Sequence, residues 1–262
     1  MIDSWRKEWG IGEFPFYWVG FGFFPYALLV ATAVTLLIAG VFGYMSFRSR
    51  VGGVYFAIIT QALVYVAMLL MFRNDTGFGG NNGMTGFTSL AGYKLAGVTT
   101  QIGLAVCSCL LLVAAYVGAR YLARSSFGRA LIAVRDDEAR MRFLGYRTHT
   151  LKLFAWCLSA VLAALAGMLY VPEVGIVNPT IVSPELSVEI AVWVAIGGRG
   201  TLIGAIVGAI VVNGLKFWLT AQLPAVWPFI LAGVTLVIVV YFSNGVWGTF
   251  KAAGSESKGG RQ

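Results

Sequence analysis

An all-α integral membrane protein, a polytopic bundle of about seven apolar segments with one short and broken, is the fold class the sequence predicts. Hydrophobic residues fill 58% of the 262 positions and charged residues only 11%, less than half the share of about 25% found in soluble chains. Mean hydropathy is +0.80, and 33 residues are glycine, which is frequent in membrane helices. Several apolar runs also approach the about 20 residues that a helix needs to cross a bilayer.

In chain order, residues 1–20, "MIDSWRKEWGIGEFPFYWVG", mix charge with Trp5, Trp9, Phe16, Tyr17 and Trp18, an aromatic density suited to a membrane interface. The stretch lacks the apolar core and small-residue cleavage site of a signal peptide. Apolar segments follow at about 22–46, 54–72, 99–122, 151–171, 186–197, 201–219 and 226–243. The fifth is too short to span, since eleven or twelve residues rise only about 18 Å. It ends in "GGRGT" (Gly197–Thr201), so the fifth and sixth segments read as a broken pair, tolerated where protein or a water-filled cavity surrounds the break.

The net charge of +8 is placed by topology and not by nucleic acid. Eight of the 19 Lys and Arg fall between Arg120 and Lys152, as the positive-inside rule produces beside membrane spans. The loop 123–150 is therefore expected in the cytoplasm, with Arg48, Arg50, Arg199 and the tail 249–262; the loops 73–98 and 172–185 are expected outside. The organisation is a segment 1–20, a membrane domain 21–248 and a cytoplasmic tail 249–262. Seven crossings with a cytoplasmic C-terminus place the N-terminus outside, and an odd number of preceding helices would resolve that.

Polar residues near the outer side are candidates for the solute path. In "FRNDTGFGGNNGMTGF" (Phe72–Phe87), Asn81 and Asn82 carry amide donors and acceptors suited to a neutral polar solute, though a flexible Gly/Asn turn is the competing reading. No Gly-Lys-Ser/Thr follows to make a phosphate loop. "VPEVGIVNPTIVSPELSVE" (Val171–Glu189) supplies Glu173, Asn178, Glu185 and Glu189. Its prolines are expected to end the fourth helix. Glu189 lies inside an apolar segment, where a carboxylate is costly and suspect as functional; an interfacial position is the alternative. Asn213 and Lys216 are weaker candidates, because lysine can snorkel.

Small residues recur every fourth position at Ser159, Ala163 and Gly167, and at Gly200, Gly204 and Gly208, a spacing that lets membrane helices approach closely. Cys107, Cys109 and Cys157 sit in apolar runs and read as packing residues without disulfide or metal spacing. The single histidine, His149, lies beside Thr148 and Thr150 with no nucleophile near it in sequence. The catalytic reading has no motif to support it, and no cofactor is assigned to the chain.

The stretch "GRALIAVRDDEARMRFLGY" (Gly128–Tyr146) holds four arginines and three acids. Ser125 or Ser126 can cap a helix, and Asp136–Arg140 and Glu138–Arg142 have the favourable i, i+4 order. The arginines lie on several sides, which fits a helix held between protein surfaces, or two short helices with a bend near Asp136.

"GRALIAVRDDEARMRFLGYRTHTLKLFAWCLSAVLAALAGMLY" resembles the cytoplasmic loop and following helix of ABC-importer permeases for branched-chain amino acids and urea. "GVYFAIITQALVYVAMLLMFRNDTGFGGNNGMTGF", "VGIVNP" and "VWVAIGGRGTLIGAIVGAIVVNGLKFW" are more similar to the urea branch. The resemblance covers Phe21 to Gly248. It implies a permease subunit of a bacterial inner-membrane importer for urea, with a branched-chain amino acid as the alternative substrate. It also implies a second homologous permease, an external solute-binding protein and two cytoplasmic ATPases that bind ATP and Mg. Glu138, Ala139 and Gly145 match the family's Glu-Ala…Gly coupling pattern, with Arg140 at the usual second Ala; Arg135 and Asp136 join them as coupling candidates. Family members carry further helices before the first segment, including a Gly-rich "SLGH" type, so a truncated assembly subunit is the reading from another class.

Overall fold

The computed structural model describes residues 23–73, 80–84, 89–90, 93–198, 200–222, 229–230 and 233. The interfacial segment 1–20, the tail 249–262 and most of the seventh segment, 226–243, lie outside the described residues. The architecture is helical, with one two-residue antiparallel ladder of β1 (Ser89–Leu90) on β2 (Tyr93–Lys94). The chain divides into two units, Met1–Val182 and Ser183–Gln262.

In the first unit, α1 (Phe24–Arg48) starts with Pro25 in its first turn, where the missing N–H costs no helical bond. Next come α2 (Val54–Phe72), α3 (Val98–Arg124), α4 (Ser126–Asp136), α5 (Glu138–Phe143) and α6 (Thr148–Val174). The most extensive pairing in this unit is α1 with α6. A side chain at Gly43 would stand 2.8 Å from the Trp156 ring, so glycine admits the indole, whose Nε1 donates to the Ala39 carbonyl at 3.1 Å. Phe42, Phe47 and Phe56 surround Trp156 with ring centroids 5.4 to 6.3 Å from it, tying α1, α2 and α6 together.

Four of these helices, with one of the second unit, are long and apolar enough to span a membrane: Pro25–Arg48, Val54–Phe72, Val98–Arg124, Thr148–Val174 and Leu202–Gln222. Large apolar side chains such as Leu37, Tyr55, Leu110 and Phe217 stand exposed along them, as lipid-facing surface requires. Cys107 and Cys109, read as packing residues, are exposed on α3, while Cys157 is half-buried. Ser159, Ala163 and Gly167 do not form a packed stripe either. Ser159 and Ala163 are exposed, and a side chain added at Gly167 would meet nothing within 4 Å.

Pro172 does not end α6 as expected. It lies inside the helix, which runs on to Val174 and is ended by Gly175, at φ +74. A left-handed glycine stops a helix by turning its next amide away, whereas Pro172 removes one donor without closing the turn.

The described part of the second unit is built on a helical hairpin. Ser183 caps α7 (Pro184–Gly197), accepting from the Leu186 amide at 3.3 Å. Its 14 residues rise about 21 Å, short of a hydrocarbon core of about 30 Å. The chain turns at Gly198 and Gly200, with φ +129 and +87, and returns as α8 (Leu202–Gln222). Gly200 thus lies before α8 and not on its face; its left-handed backbone, not helix packing, uses the missing side chain. Gly204 and Gly208 do pack. A side chain at Gly204 would stand 2.7 Å from the Gly197 carbonyl oxygen, and one at Gly208 2.8 Å from the Gly197 nitrogen. Val192, Ile196, Val212 and Leu219 form the hairpin's buried core.

Candidate functional site

The charged stretch folds as an elbow between two membrane-length helices. Ser125 turns the chain at the end of α3: its hydroxyl donates to the Leu122 carbonyl at 2.6 Å and accepts from the Gly128 amide at 3.3 Å. A side chain at Gly128 would stand 2.7 Å from the Ala123 carbonyl carbon, so α4 leaves α3 by a path only glycine permits. Asp137 is extended (φ −153, ψ 94) and caps α5 by accepting from the Arg140 amide at 2.9 Å. That break separates the expected Asp136–Arg140 pair, because i, i+4 proximity holds only within one continuous helix. Asp136 pairs instead with Arg135 at 3.0 Å, and Arg140 with Asp137 at 3.4 Å.

Glu138 is the hub. Its Oε1 accepts from the Thr148 hydroxyl at 3.0 Å and pairs with Arg142 at 3.1 Å, while its Oε2 takes the Lys152 ammonium at 2.5 Å. Thr148 is 3% exposed and opens α6. The first turn of a spanning helix is thereby bolted to α5. Burial alone would raise the Glu138 carboxyl, but hydrogen bonds from Lys152 and Thr148, with the charges of Lys152 and Arg142, outweigh it and hold the group below its ordinary 4.5. Glu138 is therefore anionic at neutral pH.

The end of α5 is fixed by glycine. Gly145 has φ +86; its amide donates to Arg142 and the Tyr146 amide to Met141, the paired bonds of a Schellman close. Met141 and Val134 are buried beneath the elbow, whereas Phe143 is 93% exposed and Leu144 and Tyr146 are also exposed. Of the coupling candidates, Glu138 faces inward and Arg135, Asp136, Ala139 and Gly145 are exposed. Thr148, Lys152 and the apolar tip Phe143–Leu144–Tyr146 are the residues the sequence did not single out. The Glu138–Arg142 pair is the i, i+4 one the sequence predicts, but Glu138 meets Thr148 and Lys152 across a turn, where no local spacing rule applies.

Toward the other ends of the helices, two loop segments join. Met84 and Val177 form a two-way backbone bridge, with N–O distances of 2.7 and 2.9 Å. Gly83 passes so close that a side chain there would stand 2.7 Å from Asn178 Cα. The bridge brings the segment of Asn81 and Asn82 to that of Asn178; Asn81 and Asn178 are exposed, and the Asn82 side chain lies outside the described residues. Glu173 is not with them, for it accepts from Ser108 on α3 at 2.7 Å. On α2, the Gln61 Oε1 is buried with no hydrogen-bond partner among the described residues.

In the hairpin unit, Glu189 on α7 and Lys216 on α8 pair at 2.6 Å, their side chains 14% and 38% exposed. Each charge answers the other, so the carboxylate in the apolar segment has a structural reason to be there. Glu185 is exposed in the first turn of α7, and the Asn213 amide donates to Ala209 on its own helix at 2.8 Å.

A family model described as branched-chain amino acid transport system, permease component, matches residues 7–240. The autoinducer 2 import system permease protein LsrC of Yersinia pestis (strain Pestoides F) is 35% identical over 129 residues, 47% of this chain and 37% of that protein. The protein of the same name from Salmonella paratyphi B is 32% identical over 160 residues, 59% of this chain and 46% of its own length. The matches thus span less than half the length of these curated relatives. No solved structure matches.

Proposed function

The chain belongs to the family of branched-chain amino acid transport permease components, and from that premise we propose that it is the membrane-spanning subunit of an ATP-driven importer. The elbow carries this reading. Glu138 ties α5 to Thr148 and Lys152 at the start of α6, while Phe143, Leu144 and Tyr146 stand outside. An ATPase that grips the exposed tip would move α5, and the Glu138 cluster would pass that movement to a spanning helix. This chain contributes the lever and the path; ATP and Mg belong to two cytoplasmic ATPases. A second homologous permease and an external solute-binding protein complete the importer, in a bacterial inner membrane. Arg135, Asp136 and Ala139 lie on the docking side.

For the solute we propose urea, supported by the resemblance of residues 53–87 and 192–218 to the urea branch and by the neutral amides of Asn81 and Asn178 near the bridged loops. Autoinducer 2 is the second reading, favoured by the relatives' function. A branched-chain amino acid follows from the family's description. In the intact importer, uptake of labelled urea should resist competition by leucine and by autoinducer 2; competition by either reassigns the solute without touching the coupling role. For docking, Phe143→Asp with Leu144→Asp should abolish co-purification of the ATPase from membranes that still contain the chain. Undiminished co-purification would overturn the docking assignment.

A further inference from the structure

Beside the elbow, at the end of α3, lies a cavity of about 340 Å³ lined by Val117, Arg120, Tyr121, Arg124 and Ser125. The first four follow i, i+3, i+4, i+7 spacing and share one face of the helix. That face continues backwards through Val113, Leu110 and Val106, all of them exposed. An apolar track therefore runs along the spanning helix and ends in two guanidinium groups and a tyrosine.

Among the described residues these cations have no carboxylate in an ion pair with them. No Asp or Glu occurs between Val98 and Arg135, and the ion pairs among the described residues use Arg135, Arg140, Arg142, Lys152 and Lys216. Among the described residues Arg120 donates to the Tyr116 hydroxyl at 3.2 Å. Arg129, one turn into α4, bonds the Arg124 carbonyl and the Ser126 hydroxyl. Depth fits the same ligand. The 27 residues of α3 rise about 40 Å against a core of about 30 Å, which sets Arg120 and Arg124 among headgroups, with Tyr121 as an interfacial anchor.

We propose that this corner binds an anionic phospholipid, its phosphate held by Arg120 and Arg124 and an acyl chain laid along Val106, Leu110, Val113 and Val117. A basic cavity continuous with an apolar track matches a lipid better than a soluble anion, which would need no track. Anionic lipids are concentrated in the cytoplasmic leaflet, on the side where the elbow's basic residues belong. The lipid would brace the α3–α4 corner from which the lever hangs. The proposal rests on the membrane placement of α3 and is independent of the solute and of the ATPase.

The test is retention of lipid by the full chain purified from bilayers of equal phosphatidylglycerol and phosphatidylcholine, read by mass spectrometry. The wild-type chain should retain phosphatidylglycerol preferentially. Arg120→Gln should lower that preference about 5-fold, and Arg120→Gln with Arg124→Gln about 25-fold, from the usual attraction of one cation to an anionic surface. Arg147→Gln, which is not in the cavity lining, should leave it unchanged, and each variant should elute as a single species. Equal retention of both lipids by the wild type, or an unchanged preference in the double variant, would overturn the proposal. So would displacement of the lipid by millimolar inorganic phosphate, which would mark a site for free anions.

Discussion

The α7–α8 hairpin and the α4–α5 elbow bring chain segments together by opposite means. In the hairpin, backbone meets backbone: Gly197, Gly204 and Gly208 remove the side chains that would hold the two helices apart. Lipid tails are as apolar as leucine, so membrane helices gain little from hydrophobic burial and associate through close packing. In the elbow, caps and charges do the joining, through Ser125, Asp137 and the Glu138 cluster. A segment in water can hold its shape with polar groups and still yield when a partner pulls. The hairpin should thus resist change sterically, and the elbow should transmit it.

The largest effect should come from Gly208→Leu. Its side chain would run into the Trp193 and Gly197 backbone, which cannot rotate away, and overpacking of even ordinary cores costs about 1–3 kcal/mol. The expected outcome is loss of a monodisperse peak in detergent, while Gly167→Leu, facing open space, should elute normally.

Next is Lys216→Met, which leaves the Glu189 carboxylate unpaired beside α8. A stability loss of about 1–3 kcal/mol is expected from the stranded acceptor, reported by thermal unfolding. Adding Glu189→Leu should recover most of it, since a buried pair can often be replaced by apolar residues. No recovery would mean that the carboxylate does something beyond pairing.

Strong acid should loosen the elbow. Because the Glu138 carboxyl titrates below its ordinary 4.5, its stabilising effect is fully present above that value and is lost as pH falls through the depressed one. Hydrogen exchange at Thr148 and its neighbours, corrected for intrinsic rates, should stay constant from pH 7 to 5 and rise only below about pH 4.5. The smallest effect is expected from Gly145→Ala: a side chain there meets nothing within 4 Å, leaving only the left-handed backbone cost of about 1 kcal/mol.

The two regions also differ in how far their residues announced them. The hairpin was legible from "GGRGT" and the glycines at 204 and 208, because four-residue spacing maps directly onto a helix face. Gly200 shares that spacing yet precedes the helix, since a glycine's spacing does not say whether the helix has begun. The elbow's bend near Asp136 and the capping role of Ser125 were legible from local chemistry. What was not legible is which acid–base pairs survive the bend. Asp136 lost Arg140 when Asp137 left the helix, and Glu138 gained Thr148 and Lys152 from across a turn. Pro172 shows the same limit: it sits in the last turn of the helix, and the stop is written three residues later in Gly175.

Glu138→Lys decides whether the elbow is a lever. It replaces the anion that holds Lys152, Thr148 and Arg142 with a fourth donor. In the importer proposed above, solute-stimulated ATP hydrolysis should disappear, with the variant still inserted and still bound to the proposed ATPases. Stimulation at the wild-type level in that variant would contradict a coupling role for the Glu138 cluster.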